Sequence, residues 1–362
     1  MDFALELPIN NLSFGQVSIN LLLEIHKRGL NPCIFPIGNP DISAFNKLPE
    51  DFKFWLKQNI EKAYSTYSRN VPIIKLWHLN GSLGSLGKEQ VLFTFHELDE
   101  ATPNEINVVR NNHRVVFSSK YSASVFAPFA NNVGSVKLGF DAVNFRKTGR
   151  KYLPDGVVGF TLAGKLEKRK HHAKILSLWA RLFGNDKRYM LNCALFNQFM
   201  KVEEQEAILG NALGGKKPFN INFVPFMQSN EAYNDFLNCG HIDLTGLSGA
   251  EGWNLPAFQQ TCLGKWSIVL DAHAHKDWAT KDNAILVAPK DKEESYDGVF
   301  FAKGMPFNQG SIFTWDEAEV EAAMKKAIES FAGKPNTEGE KLAAERTWAK
   351  TVDVLLFNVS GA

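Results

Sequence analysis

Ser248-Gly249-Ala250-Glu251-Gly252-Trp253-Asn254-Leu255-Pro256-Ala257-Phe258-Gln259 follows a short strand-like run at 242–244 and opens a helix at Pro256. Proline suits a helix's first turn, where its missing N–H would be unpaired anyway. The backbone N–H groups of the turn before it point at whatever approaches the helix start. An anion or a sugar hydroxyl there gains hydrogen bonds and the favourable end of the helix dipole. Strand, turn and helix in this order form the unit of doubly wound parallel sheets, which bind ligands outside the carboxyl ends of their strands.

The same alternation extends outward from this stretch. Residues 3–7, 33–35 (ended by Pro36), 91–95, 114–117 and 135–138 read as strands. Residues 15–28 read as a helix, with Val17, Leu21 and Ile25 on one face and Gly29 as its stop. Residues 119–126 read as another. A second series starts with a strand at 157–163, a basic turn and a helix at 171–183. Strands at 189–195, 222–224, 242–244, 267–270 and 285–287 follow, with helices at 231–237 and 256–263. After the turn Gly333-Lys334-Pro335-Asn336, residues 340–357 read as one last long helix. The expected fold is therefore α/β, with two Rossmann-like doubly wound domains facing across a cleft. The first spans 1–140, a polar, basic linker spans 141–156, and the second spans 157–341.

Composition excludes several classes. With 362 residues, 44% apolar and 22% charged, the chain has enough core for two domains and is not a disordered one. Forty Lys and Arg against 39 Asp and Glu give a net charge of +1, hence no global pull toward nucleic acid or anionic membrane. Cys33, Cys193, Cys239 and Cys262 are widely spaced, which argues against a disulfide framework or a structural zinc and for a reducing compartment. The start lacks the pattern of a signal peptide, and no apolar run approaches the ~20 residues of a membrane helix. A cytoplasmic location is expected. The loop Gly81-Ser82-Leu83-Gly84-Ser85-Leu86-Gly87 lacks the Lys-Ser/Thr of a phosphate loop and reads as a surface loop. His273 and His275 form an H-x-H pair without an evident third ligand, so no metal is expected.

The stretch Glu251-Gly252-Trp253-Asn254-Leu255-Pro256 resembles the donor-binding motif of nucleotide-sugar glycosyltransferases of the GT-B fold, in the large retaining group (the family 4-like, or group 1, glycosyltransferases). Other segments agree in order. They are Val116-Phe117-Ser118-Ser119-Lys120, Leu138-Gly139-Phe140-Asp141 with Phe145, and Ala163-Gly164-Lys165-Leu166 with Lys170. The strand 283–287 and the helix 345–356 with Trp348 follow them. The resemblance runs from about residue 91 onward and implies that a C-terminal helix, 342–362, crosses back to complete the N-terminal domain. More loosely, the chain also resembles glycosyltransferase-like proteins of marine tailed phages, which implies a host cytoplasm.

The resemblance implies site residues. Lys165 and Lys170 would stabilise the negative charge growing on a leaving diphosphate, as cations already placed in a cleft do. The bland reading of Lys165, Lys168, Arg169 and Lys170 is a solvated turn, and Lys168 and Arg169 are left to it. Glu251 would contact sugar hydroxyls, or be a carboxylate favoured by the helix dipole. Gly252, Trp253, Asn254 and Leu255 would hold the sugar through their backbone, Gln259 the ribose and the backbone at Phe226 the base. His96 reads either as a donor-sugar contact or as a histidine satisfied at a strand end. Gly15 reads either as a close approach to donor phosphate or as a plain strand–helix turn. Trp77 and His78 read as cleft or core. Three departures stand out: Gln259 replaces a Glu, Lys165 an Arg, and Asn254 a Gly.

The implied function is a retaining, metal-independent transfer of a sugar (a hexose) from a nucleotide diphosphate, UDP or GDP, without a cofactor. The acceptor is unidentified, with modified DNA and glycans as options. Two alternatives stay open: a nucleotide-sugar epimerase on the same fold, and a non-catalytic sugar- or nucleotide-binding protein.

Overall fold

A computed structural model describes residues 2–360. The first part of the chain builds β1 (Ala4–Pro8), α1 (Ser13–Lys27), β2 (Cys33–Ile37), α2 (Phe52–Ser65), β3 (Ile73–Leu76), β4 (Gln90–Thr94), α3 (Pro103–Asn111), β5 (Arg114–Phe117), α4 (Lys120–Phe126) and β6 (Val133–Ser135). Its strands form one parallel sheet in the order β2-β1-β3-β4-β5-β6. The second part builds β7 (Val158–Gly164), α5 (His172–Phe183), β8 (Tyr189–Leu195), α6 (Val202–Ala212), β9 (Ile221–Phe223), α7 (Asn230–Asn238), β10 (Ile242–Asp243), α8 (Leu255–Cys262), β11 (Trp266–Leu270) and β12 (Ile285–Val287). These strands form a second parallel sheet, β12-β11-β10-β7-β8-β9. An antiparallel arm, β13 (Lys292–Glu294) and β14 (Ser311–Phe313), comes next. Helices α9 (Glu317–Phe331), α10 (Thr337–Glu345) and α11 (Trp348–Ser360) follow.

Strands covered on both faces should be apolar throughout, and β4 is buried at all five positions. On α1, Val17, Leu21 and Ile25 are buried together. The second sheet packs Phe160, Leu162, Leu191 and Ile268 against Trp179 of α5 and Met324 of α9. Around Trp253, Phe258, Trp278 and Trp348 a continuous apolar cluster joins residues of both parts, so the two layers share buried surface.

Three sequence expectations change, and one strand was not read. β2 continues through Pro36, because β2 is an edge strand and proline's missing N–H costs no ladder bond there. β6 lies at Val133–Ser135, ahead of the expected 135–138. β3 escapes an apolar-run reading because Lys75 interrupts it. Buried Lys75 is neutralised by Glu6 at 3.1 Å and donates to the Gly84 carbonyl at 2.8 Å. The single long helix at 340–357 is two helices. Arg346 leaves helical geometry (φ −98°, ψ 89°), and its carbonyl accepts the Phe140 N–H at 2.7 Å. The break lets α10 stay against α8 while α11 crosses to α1. The two chain crossings touch at Gly139, where a β-carbon would lie 2.3 Å from the Trp348 nitrogen.

Candidate active site

Each sheet reverses its strand order once, at β1 and at β7, and in such sheets the crevice opens at the reversal. The loop after β7 carries Lys165 to Lys170. The loop after β10, the strand beside β7, carries the turn 248–254. Each loop supplies charge to the other. Lys170 Nζ lies 2.5 Å from Glu251 Oε1, and Arg169 Nη1 lies 3.0 Å from Glu251 Oε2. Arg169 Nε is 2.9 Å from Glu167 Oε2, and Lys165 Nζ is 2.6 Å from Glu167 Oε1. Three cations and two carboxylates therefore alternate in one chain of contacts with a net charge of +1.

Arg169 was assigned to a solvated turn by the sequence, and the structure corrects this. It is buried, clamped by both carboxylates, and donates to the Ala250 carbonyl at 2.6 Å. Lys168 does face solvent and donates to the Glu294 carbonyl. The alternation Lys165, Glu167, Arg169 is the sequence signal that could have pointed to the buried cluster, and the structure shows Glu167 extended at its centre (φ −141°, ψ 151°).

Burial alone would raise the carboxyl of Glu251, but Lys170 and Arg169 outweigh it and hold the group well below the usual carboxylate range. Burial also dominates at Lys170 and pulls it below the ordinary lysine range, with Glu251 opposing. Arg169 is raised: its two carboxylates exceed the desolvation they share. Within the cluster, Lys170 pairs with Glu251 as its carboxylate partner.

A cavity of about 320 Å³ adjoins the cluster. Lys165 and Phe226 on loops and Leu255 and Gln259 on α8 lie on its wall from the second sheet's side, and Asn11 of the β1–α1 connection and Gln16 of α1 face them. Gln16 Nε2 donates to Asn230 Oδ1 across this gap at 2.8 Å. Among the described residues on the wall, Lys165 is the one charged side chain. Its ammonium sits 4.0 Å over the Phe300 ring and 5.6 Å from that of Phe199. Lys170 lies just behind: a β-carbon on Gly164, which lines the cavity, would be 3.4 Å from Lys170 Cδ.

The other sequence candidates lie off this wall. The His96 ring is buried edge-on against Phe126 at 4.8 Å, and burial pulls its pKa down. It is His78, 4.4 Å from the Phe14 ring, that feels the charges of both Glu97 and Lys165. Gly15 serves its own turn, since a β-carbon there would meet the Asn10 carbonyl oxygen at 1.9 Å. The Gly252 carbonyl accepts from Ser118 Oγ at 2.7 Å, tying the turn to the first sheet's loops. Trp253 is buried in the shared core. Asn254 takes the left-handed conformation (φ 68°, ψ 66°) and caps α8 through the Ala257 N–H. Its side chain therefore serves the turn. His273 and His275 are buried, and among the described residues no cluster suited to a metal ion occurs.

No protein-family model and no curated protein matches the chain. Solved structures do. Sucrose-phosphate synthase from Thermosynechococcus elongatus superposes with a TM-score of 0.71 at 12% identity, covering 100% of this chain and 98% of that one. Anabaena HepE in complex with UDP and glucose gives 0.68 at 11% identity, covering 100% of both chains. The apo structure of OtsA gives 0.68 at 9% identity, covering 99% of this chain and 98% of that one. These likenesses establish the fold. The chain has the GT-B arrangement of two Rossmann-like parallel-sheet domains facing across a cleft.

Proposed function

We propose that the protein is a glycosyltransferase that takes a sugar from a nucleotide diphosphate, with a UDP-sugar first among the donors. The observation that carries this reading is the cationic chain Lys165–Glu167–Arg169–Glu251–Lys170 beside a cavity at the strand-order reversal. The HepE structure, which holds UDP and glucose, shares the fold over the whole chain. In this reading residues 157–341 bind the donor. Residues 1–140, with the closing helix, bind the acceptor, and 141–156 link the two.

The chemistry follows from charge. As the bond from the sugar's anomeric carbon to the diphosphate oxygen breaks, negative charge grows on the diphosphate. Lys165 faces it from the cavity wall, and Lys170 stands behind with Glu251 as counter-charge. Preorganised cations in a water-poor cleft stabilise such charge without reorganising. Glu251 and the turn backbone hold sugar hydroxyls, and Gln259 holds the ribose. The acceptor hydroxyl attacks from the face the diphosphate leaves, and its proton passes to the leaving phosphate oxygen, so configuration is retained. Three cations within one loop support a reaction that needs no metal.

A donor panel tests this. UDP-, GDP-, ADP- and TDP-sugars, with and without EDTA, are expected to give thermal stabilisation and slow nucleotide release with one of them, unaffected by EDTA. Absence of stabilisation by every donor and nucleotide would refute the reading. Conversion of the donor to another sugar nucleotide without acceptor would show an epimerase instead.

A further inference from the structure

Behind the turn 248–254 lies a segment to which the proposed reaction gives no role, the short helical turn His273–Asp277 after β11. Together with Trp278, which follows it, the segment grips the donor turn at three points. His273 Nε2 donates to the Ser248 carbonyl at 3.0 Å. Trp278 Nε1 donates to the Trp253 carbonyl at 3.0 Å. His275 contributes the third, to the Asn254 side chain. His275 Nδ1 lies 3.0 Å from the Leu270 carbonyl, which only accepts, so Nδ1 carries the proton. Its Nε2 is then a lone-pair acceptor, and Asn254 Nδ2 donates to it at 2.9 Å. Asn254 Nδ2 also donates to the Thr245 carbonyl at 3.1 Å, and Asn254 Oδ1 accepts from Ala257 N–H. Every polar atom of this buried amide is therefore committed, and its orientation is fixed.

This matters because Asn254 sits in backbone space that side-chain-bearing residues avoid. A glycine would reach it unaided. An asparagine reaches it here with its amide held on both sides, and the backbone kink it makes separates Glu251 from the first turn of α8. We propose that His275 is a positioning residue: by fixing the Asn254 amide it holds the left-handed kink that aims the Glu251–Leu255 turn at the donor. It touches no substrate. The H-x-H pair is, on this account, the buttress of the donor turn. The proposal rests on the glycosyltransferase reading, since it takes that turn to be the donor's.

The test is a double-mutant cycle on donor affinity, using UDP-glucose first and then GDP-, ADP- and TDP-glucose as the nucleotide probes by calorimetry. The proteins are wild type, His275→Ala, His275→Gln, Asn254→Gly and the double variant, each with its thermal midpoint. His275→Ala is expected to weaken binding about tenfold, the scale of a lost cap. In the Asn254→Gly background the same substitution should change affinity by less than about twofold, because glycine needs no buttress. His275→Gln, whose amide oxygen accepts from Asn254, should stay within about threefold of wild type. An equal loss in both backgrounds overturns the proposal, as does a lowered midpoint with unchanged affinity. If His275→Ala does not fold, the double variant against Asn254→Gly and His275→Gln against wild type decide it. A wild type that binds none of the nucleotides overturns the glycosyltransferase reading and this proposal together. A wild type that binds while His275→Ala binds equally well overturns this proposal alone.

Discussion

Lys165 and Lys170 occupy one loop but different surroundings, and substitution should separate their roles. The Lys165 side chain is 35% exposed, and that of Lys170 is 9% exposed. Lys165→Ala is expected to shift stability by no more than about 1 kcal/mol. Its effect belongs on turnover, where losing a preorganised charge stabiliser costs on the order of 10²-fold. Donor consumption and urea unfolding on the same variant check both halves. Glu251→Gln is the opposite case. It strands Lys170 without its carboxylate, and breaking a buried pair from one side costs about 3–5 kcal/mol. Urea unfolding of this variant, compared with Lys165→Ala, should therefore show the larger loss. Asp243, at the end of β10, gives a pH signature. Burial dominates and raises its carboxyl to about 7 from 3.8, despite bonds from Thr245 and Ser267. The folded state therefore binds the extra proton between these values, and stability from this group falls as pH rises through that window. The stability difference between wild type and Asp243→Asn should move toward the variant by about 1.4 kcal/mol per pH unit there, and level off above pH 8. A difference flat with pH would show that Asp243 is ionised throughout.

At the scale of elements, periodicity carried the sequence reading, and it failed where tertiary contacts override it. α1, β5, β8 and β12 were legible because their apolar residues repeat at helical or extended spacing and stop at turn residues. β3 was hidden by Lys75, whose burial depends on a carboxylate on the neighbouring strand, a partner no local pattern displays. In the candidate site, the turn 248–254 and the loop 164–170 stood out because each follows a strand and leads into a helix and because their motifs, in order, resemble those of a known family. Composition alone reads the basic loop as a solvated turn. That Arg169 closes the charge chain, or that the Asn254 amide turns inward to His275, depends on residues about 80 and 21 positions away. The split between α10 and α11 belongs here too. A helix reading of 340–357 is locally consistent, and only the Phe140 N–H and the space at Gly139 explain the break. Gly139→Ala should therefore act on the whole crossing. Its β-carbon would meet backbone, which cannot rotate away, so a loss of about 1–3 kcal/mol is expected. Hydrogen exchange should show that loss concentrated in α11.

At the scale of the whole molecule, the arm from β13 to β14 is the feature most distant from any sequence signal, and it joins the two parts across the cleft. It leaves the second part after β12 and meets the start of α3 in the first. Asp99 takes Lys292 Nζ at 2.7 Å and the Ser311 N–H at 2.7 Å. Thr102 donates to the Pro306 carbonyl at 2.6 Å, and Glu105 accepts the Asn308 N–H at 2.9 Å while also closing the cap of α3. Phe301 and Ile312 of the arm pack with Leu98 and Ala250, one residue from each side of the cleft. The arm also brings Phe300 over Lys165, so its docking shapes the mouth of the candidate site. Asp99→Asn keeps an acceptor but loses the charge that both partners use, which removes about 1–2 kcal/mol of local hold. Because the arm is a short excursion, this should appear as local opening more than as a lower global midpoint. The expected readout is about tenfold faster amide exchange across residues 292–313, with the sheets unchanged. Exchange that stays at the wild-type rate would mean that Phe301 and Ile312 alone hold the arm, and that the polar contacts to α3 follow from the docking without maintaining it.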